Sequence, residues 1–229
     1  MDLHFGPYAI ALAPSVLPTA PLVVGHYLED AQAIKQALQA RGLECHLAAV
    51  SGVSEAELLP YPRPELGARF ANAHALAYYH TLTTTILPNL KVQLPHTGEL
   101  ILVGYSLAGL FALWALTQPN CPFTRAISCS GSLWYPEAGT ALTLPPEATV
   151  HSVYLSLGAK EPSKGPRLFR SVGSATAQAY EYYRTRCPCT YELNPGGHFD
   201  QVPTRLVQGI AWTLKQCAAP HPSRVRSSE

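Results

Sequence analysis

Residues Glu99–Leu116 read ELILVGYSLAGLFALWAL. The first five are almost continuously apolar, the pattern of a strand buried on both faces. The last seven are apolar throughout, which suits a helix packed inside a protein rather than on its surface. Between them lies Gly104-Tyr105-Ser106-Leu107-Ala108-Gly109. The stretch therefore predicts a strand, a sharp turn with Ser106 at its apex, and a buried helix over Leu107–Thr117. Such a unit belongs to a sheet whose strands are joined by helices.

The flanking sequence repeats the alternation. Tyr8–Leu12 and Pro21–Val24 are short apolar runs separated by a proline-rich turn. Glu29–Arg41 reads as a helix, with acids in its first turn and Gly42 just beyond its end, where a left-handed backbone is wanted. Leu43–Val50, Arg125–Ser130, Ser152–Leu157 and Cys189–Leu193 read as strands. Ala68–Leu87, Pro166–Arg184 and Pro203–Gln216 read as helices. Strands alternating with helices imply right-handed crossovers and a mainly parallel, doubly wound sheet with helices on both faces. In such α/β sheets ligands bind beyond the carboxyl ends of the strands. The residues just past each strand are therefore the ones to search.

Composition narrows the function classes. The chain has 229 residues, 47% hydrophobic and only 14% charged, which excludes a disordered chain. Sixteen basic and fifteen acidic residues leave a net charge of +1, so no basic surface points to nucleic acid or an anionic membrane. No apolar run reaches the roughly 20 residues of a membrane span. Ala9–Val24 is apolar, but prolines interrupt it and no basic residue precedes it, so it is a poor signal peptide. The six cysteines show no disulfide-framework spacing. The expectation is a cytoplasmic protein with one domain over residues 1–217 and a frayed tail over 218–229.

Ser106 stands where a G-x-S-x-G nucleophile turn would place its serine. Gly104 and Ala108 are small enough to clear the neighbouring strand and helix. The N–H of Leu107, at the helix start, can donate to a developing oxyanion. A serine hydroxyl needs a neighbouring base. Among nine histidines, His198 has the suitable setting: it lies in Asn194-Pro195-Gly196-Gly197-His198-Phe199, after a strand and before the closing helix. Between Ser106 and His198 there is no aspartate. Glu161, four residues past the Ser152–Leu157 strand, is the acid best placed to orient the imidazole. A bare Ser–His dyad and a local role for Asp200 are the alternatives. The order serine, acid, histidine is that of the α/β-hydrolases.

These segments resemble the Putative esterase family of the α/β-hydrolase superfamily, which includes enterochelin-type siderophore esterases, S-formylglutathione hydrolases, feruloyl esterases and mycolyltransferases. Val103-Gly104-Tyr105-Ser106-Leu107-Ala108-Gly109-Leu110-Phe111-Ala112 is similar to the family's G-H-S-L-G-G-L-F-A, with Ala108 in place of a glycine. Ser130-Gly131-Ser132-Leu133-Trp134-Tyr135 resembles its S-P-S-L-W-W, and Gly196-Gly197-His198 its histidine loop. The resemblance implies an α/β-hydrolase fold with a minimal cap and a serine esterase acting through an acyl-enzyme. It implies His26 as the second oxyanion donor, through its backbone N–H, although the family's D-G after that strand is missing. It places Tyr105, Trp134 and Arg63 at the substrate pocket. An acyltransferase, a thioesterase or a catalytically silent binding protein on the same fold are the other readings.

No metal or organic cofactor is implied. Cys187-Pro188-Cys189 lacks two further ligands at zinc spacing. Neither a Walker A sequence nor G-x-G-x-x-G occurs. The partner implied is a small-molecule ester, with no nucleic acid and no membrane.

Overall fold

A computed structural model describes residues 1–218 except 27, 29, 139–141, 146, 147 and 165. Eight strands form one sheet: β1 (Asp2–Phe5), β2 (Tyr8–Ala13), β3 (Leu22–His26), β4 (His46–Ser51), β5 (Leu100–Tyr105), β6 (Arg125–Cys129), β7 (Ser152–Gly158) and β8 (Cys189–Asn194). Their order is β1-β2-β4-β3-β5-β6-β7-β8. β1 pairs antiparallel with β2, and β2 with β4. The remaining neighbours are parallel. The doubly wound α/β sheet expected from the sequence is therefore present, with an antiparallel edge.

Among the described residues the α-helices are α1 (Ala31–Gln39), α2 (Ala75–Thr81), α3 (Leu87–Gln93), α4 (Leu107–Ala115), α5 (Val172–Arg184) and α6 (Val202–Ala218). Alternate strand residues face opposite layers. Leu22, Val24, Leu102 and Val153 pack with α2 to α5, whereas Val23, Ile101, Val103 and Ile127 pack with α1 and α6. This period of two is what a sheet covered on both faces requires. Among the described residues, no helix is long and apolar enough to cross a membrane.

Several boundaries differ from expectation. β1 was not anticipated from the sequence. It is a four-residue edge strand with half-exposed residues, too short to show a pattern. The first helix begins at Ala31, and its first turn holds no acid; Asp30 instead caps it, accepting from the Ala33 N–H at 2.8 Å. The predicted start at Glu29 lies outside the described residues, as does the tail from 219. Gly42 does take the left-handed conformation, with φ of 69°.

The helix expected over Ala68–Leu87 is broken. Ala68–Phe70 forms a 3-10 turn, α2 begins at Ala75, and Leu82–Ile86 is a π-helical turn leading into α3. Pro88 accounts for the π turn. It has no N–H to give to the carbonyl four residues back, and the Leu87 N–H donates instead to Leu82, five residues back. The helix expected from Pro166 begins at Val172; before it, Phe169–Ser171 forms a 3-10 turn, and the Phe169 ring packs tilted against Trp134.

Candidate active site

The strand ends are in register, with Tyr105 beside Cys129 and Gly158 beside Asn194. The segments leaving β5, β6, β7 and β8 therefore emerge on one edge. They carry Ser106, Ser130, Glu161 and His198.

Ser106 has φ of 55° and ψ of −121°, a conformation costly for any residue with a side chain. It lifts the hydroxyl clear of the sheet. The turn is so tight that a Cβ on Gly104 would overlap the Ala108 carbonyl. Backbone bonds hold it in place: the Ser106 N–H donates to Cys129 O at 3.1 Å, and the Ser132 N–H donates to Ser106 O at 2.9 Å. The Ser132 hydroxyl lies 3.3 Å from Ser106 Oγ.

His198 Nε2 is 3.0 Å from Ser106 Oγ, and His198 Nδ1 is 2.7 Å from Glu161 Oε2. A carboxylate only accepts, so Nδ1 carries the proton and Nε2 is left to accept from the serine. The other carboxylate oxygen, Oε1, accepts from the Gly158 N–H at 2.6 Å and the Ser130 hydroxyl at 2.8 Å. Burial by itself raises the Glu161 pKa, but the bonds from His198, Ser130 and Gly158 outweigh it and hold the carboxyl below its ordinary value. Asp200 does not reach the imidazole ring's acid position; its carboxylate accepts from the Gly197 N–H at 2.7 Å and so shapes the histidine loop.

Sequence reasoning did not single out Arg205, one turn into α6. It is fully buried, and Nη1 donates to Tyr105 Oη at 3.0 Å, to Ser130 Oγ at 2.9 Å and to Glu161 Oε1 at 3.4 Å. Nη2 donates to the carbonyls of Pro195 and Gly197 at 3.0 and 2.9 Å. The available signal was a charge on the apolar stripe of a closing helix, four residues before Gly209. Ser130 and Ser132 stood within the quoted motif without an assigned part.

A cavity of about 1160 Å³ opens over this edge. Ser106, His198, Tyr105 and Leu107 line it, with Trp134, Phe70 and Phe169 forming an aromatic wall. Trp134 and Phe169 have ring centroids 4.2 Å apart. The short turns at Glu55–Leu58 and Ala68–Phe70 border the cavity in place of a larger cap.

One expected pocket position, Arg63, is absent from the cavity lining. Its guanidinium is tied to Glu137 at 2.5 Å and lies over the Tyr61 ring, while its backbone N–H donates to the carbonyl of Phe70, a wall residue, at 2.6 Å. Its charge is met by Glu137, with Glu65 farther off at 3.8 Å. His26 is expected to act through its backbone N–H, and its side chain is turned into the core. It is buried against Phe111, and its Nε2 meets the Tyr78 hydroxyl at 2.5 Å. Burial lowers its pKa to about 4, so the ring is neutral. The neighbouring Tyr27 lies outside the described residues.

A family model described as "Putative esterase" matches residues 26–185, more than half of the chain. The chain belongs to this family. The Putative esterase match spans β3 to α5, and thus the Ser106 turn and Glu161, while His198 and Arg205 lie beyond it. A Bacillus subtilis (strain 168) protein, YbbA, described as uncharacterized, is 26% identical over 133 residues, covering 55% of this chain and 52% of its own. The chain thus spans about half the length of that relative.

Solved structures share the α/β-hydrolase fold. The siderophore hydrolase EstB from Aspergillus nidulans has a TM-score of 0.70 at 15% identity, covering 96% of both chains. An IroE-like serine hydrolase from Shewanella oneidensis has a TM-score of 0.73 at 16% identity, covering 91% of this chain and 75% of that one. The enterobactin esterase FES from Shigella flexneri, in the presence of enterobactin, has a TM-score of 0.67 at 19% identity, covering 93% and 56%. At these identities the likeness is one of fold.

Proposed function

We propose that this member of the esterase family is a serine carboxylic-ester hydrolase, with Ser106 as nucleophile, His198 as general base and Glu161 as the acid that orients it. The observation that carries this reading is the continuous hydrogen-bonded chain from Ser106 Oγ through both nitrogens of His198 to Glu161. Ser106 Oγ attacks the ester carbonyl while its proton passes to His198 Nε2. The imidazolium is stabilised by the Glu161 carboxylate, which keeps its charge throughout. The proton then goes to the leaving alkoxide, and an acyl-enzyme remains on Ser106. Water attacks this ester with His198 again as base, returning the enzyme and a carboxylic acid.

The oxyanion sits at the start of α4. Leu107 supplies one donor, because the first N–H groups of a helix have no carbonyl within it. The second donor is the backbone N–H of His26, at the end of β3. Tyr105 and Trp134 belong to the pocket wall. The substrate is a small-molecule ester, and residues 1–217 act as one unit because all eight strands share a sheet.

Ser106→Ala tests the reading. The variant should melt as the parent does, lose labelling by a fluorophosphonate probe, and retain at most the residual catalysis that donors and binding supply, about 10³–10⁴-fold over water. Hydrolysis of p-nitrophenyl acetate at the parent rate by Ser106→Ala refutes it. Transfer of the acyl group to an added alcohol or thiol faster than to water would make the enzyme an acyltransferase. A parent protein that the probe does not label would be a binding protein.

A further inference from the structure

The buried guanidinium of Arg205 joins the segments that leave four strands, and it does so with a group that can only donate. We propose that Arg205 is a positioning residue of the site, setting the direction of the hydrogen bonds that hold Glu161 and His198 in place. The proposal rests on the reading of Ser106, His198 and Glu161 as the catalytic groups.

The direction comes from the donor inventory. A guanidinium has five N–H donors and no acceptor. Ser130 Oγ must therefore accept from Arg205 Nη1, and its own proton is left for Glu161 Oε1 at 2.8 Å. Tyr105 Oη must likewise accept from Nη1, and its proton goes to the backbone carbonyl of His198 at 2.5 Å. One cation thus turns two hydroxyls, one toward the acid and one toward the loop of the base. Its second nitrogen binds Pro195 O and Gly197 O, the carbonyls that flank the Gly196 turn of that loop. Gly196 has φ of 89°, so the loop leaves β8 by a turn that those two bonds pin from below.

The fold accounts for how a helix side chain reaches so far. Gly209 lies against the sheet, and a Cβ there would come within 2.7 Å of Ile127 and 2.9 Å of Tyr154. With no side chain at Gly209, α6 settles closely on β6 and β7. Arg205, one turn earlier on the same face, then lies directly under the carboxyl edge. Burying this cation is acceptable only because a carboxylate and four oxygens meet it. Neutral stabilisation of the fold would not need a charge there. A charge whose bonds end on the acid and on the loop of the base has a use in the reaction.

Three variants decide the matter: Arg205→Met, Arg205→Lys and Ser130→Ala. Each is assayed on a simple alkyl ester for kcat and KM, checked for folding by circular dichroism and thermal melting, and examined by proton NMR for the downfield resonance of the His198 Nδ1 proton. Arg205→Met should fold with a lower Tm and lose about 10²-fold in kcat with KM within about threefold, as expected for misplacement of reacting groups by about 1 Å. The downfield resonance should vanish in Arg205→Met and persist in the parent and in Arg205→Lys. Arg205→Lys should recover about tenfold of the lost kcat, since an ammonium restores donors without the planar fork.

A folded Arg205→Met with parent kcat and an unchanged resonance overturns the proposal, as does a loss confined to KM. If Arg205→Met does not fold, Ser130→Ala decides. It removes only the relay to Glu161 and should lower kcat about tenfold by loosening the acid. Parent kcat in Ser130→Ala then overturns the proposal. Ser106→Ala run beside them separates the two levels: activity surviving in Ser106→Ala sinks the catalytic reading itself, whereas loss there with parent kinetics in the Arg205 and Ser130 variants sinks only the positioning role.

Discussion

Glu161→Gln should damage the site more than Glu161→Ala, although it changes the shape far less. In the parent, Oε1 accepts from the Gly158 N–H, the Ser130 hydroxyl and Arg205 Nη1 at 2.6, 2.8 and 3.4 Å. A glutamine would keep its carbonyl oxygen on that side. The flipped amide would set an NH₂ group against three donors, at a cost of about 1–3 kcal/mol for each opposed group. With at least about 3 kcal/mol against it, fewer than roughly one molecule in a hundred would adopt the flip. The NH₂ group therefore faces His198 Nδ1, which must accept from it. The ring proton is then forced onto Nε2, the atom that lies 3.0 Å from Ser106 Oγ and should receive its proton. An enzyme holding its base in the wrong tautomer loses about 10⁴-fold in kcat, or about 5.5 kcal/mol of barrier. Glu161→Ala removes the constraint without imposing the wrong tautomer, so its loss should be smaller. Steady-state hydrolysis of an unactivated alkyl ester by both variants measures this. A Glu161→Gln enzyme within tenfold of the parent, or one more active than Glu161→Ala, would refute the argument.

Other consequences concern stability and binding. The His26 imidazole has a pKa of about 4 in the native protein against 6.5 when free; above pH 6.5 both states are neutral, and below it only the unfolded chain takes up the proton. Stability should therefore fall between pH 6.5 and pH 4, by about 3 kcal/mol in total, and urea unfolding across that range should show a flatter profile for His26→Gln. Parallel profiles would contradict the burial argument. Gly104→Ala pushes a methyl group into the Ala108 carbonyl and should lower Tm by about 2–12 °C, given about 1–3 kcal/mol of overpacking in a protein of this size; an unchanged melt would show that the turn has slack. Trp134→Ala removes one face of the aromatic wall and should raise KM for an aryl ester about fivefold, with little change in kcat, because such ring contacts contribute about 0.5–1.5 kcal/mol. An unaltered KM would place the acyl or alcohol group elsewhere in the cavity.

The central elements were legible because their patterns are local and strong. The apolar run before Gly104 and the apolar helix after Ser106 define β5 and α4 with little reference to the rest of the chain. The Gly196-Gly197-His198 loop and Glu161 stand just past the ends of strands, the places where a parallel sheet gathers its polar groups. The irregularity before Pro88 was readable in principle, but the sequence does not say whether a proline ends a helix or diverts it through a π turn. Arg63 was misplaced because a resemblance gives a position along the chain, not a direction in space, and Glu137 holds that side chain elsewhere. Arg205 escaped notice for a related reason. A charge inside an amphipathic pattern reads as surface until the four loops that surround it are known, and these come from residues up to 100 positions away.

Those long separations also order events during synthesis. Ser106 precedes its hydrogen-bonded imidazole by 92 residues. At ribosomal speeds of about 5–20 residues per second, the serine is made roughly 5–18 s before its partner. Throughout that interval the nascent chain carries the serine without the imidazole that faces it in the folded protein. On the catalytic reading proposed above, the growing polypeptide would stay quiet toward esters until His198 and α6 follow.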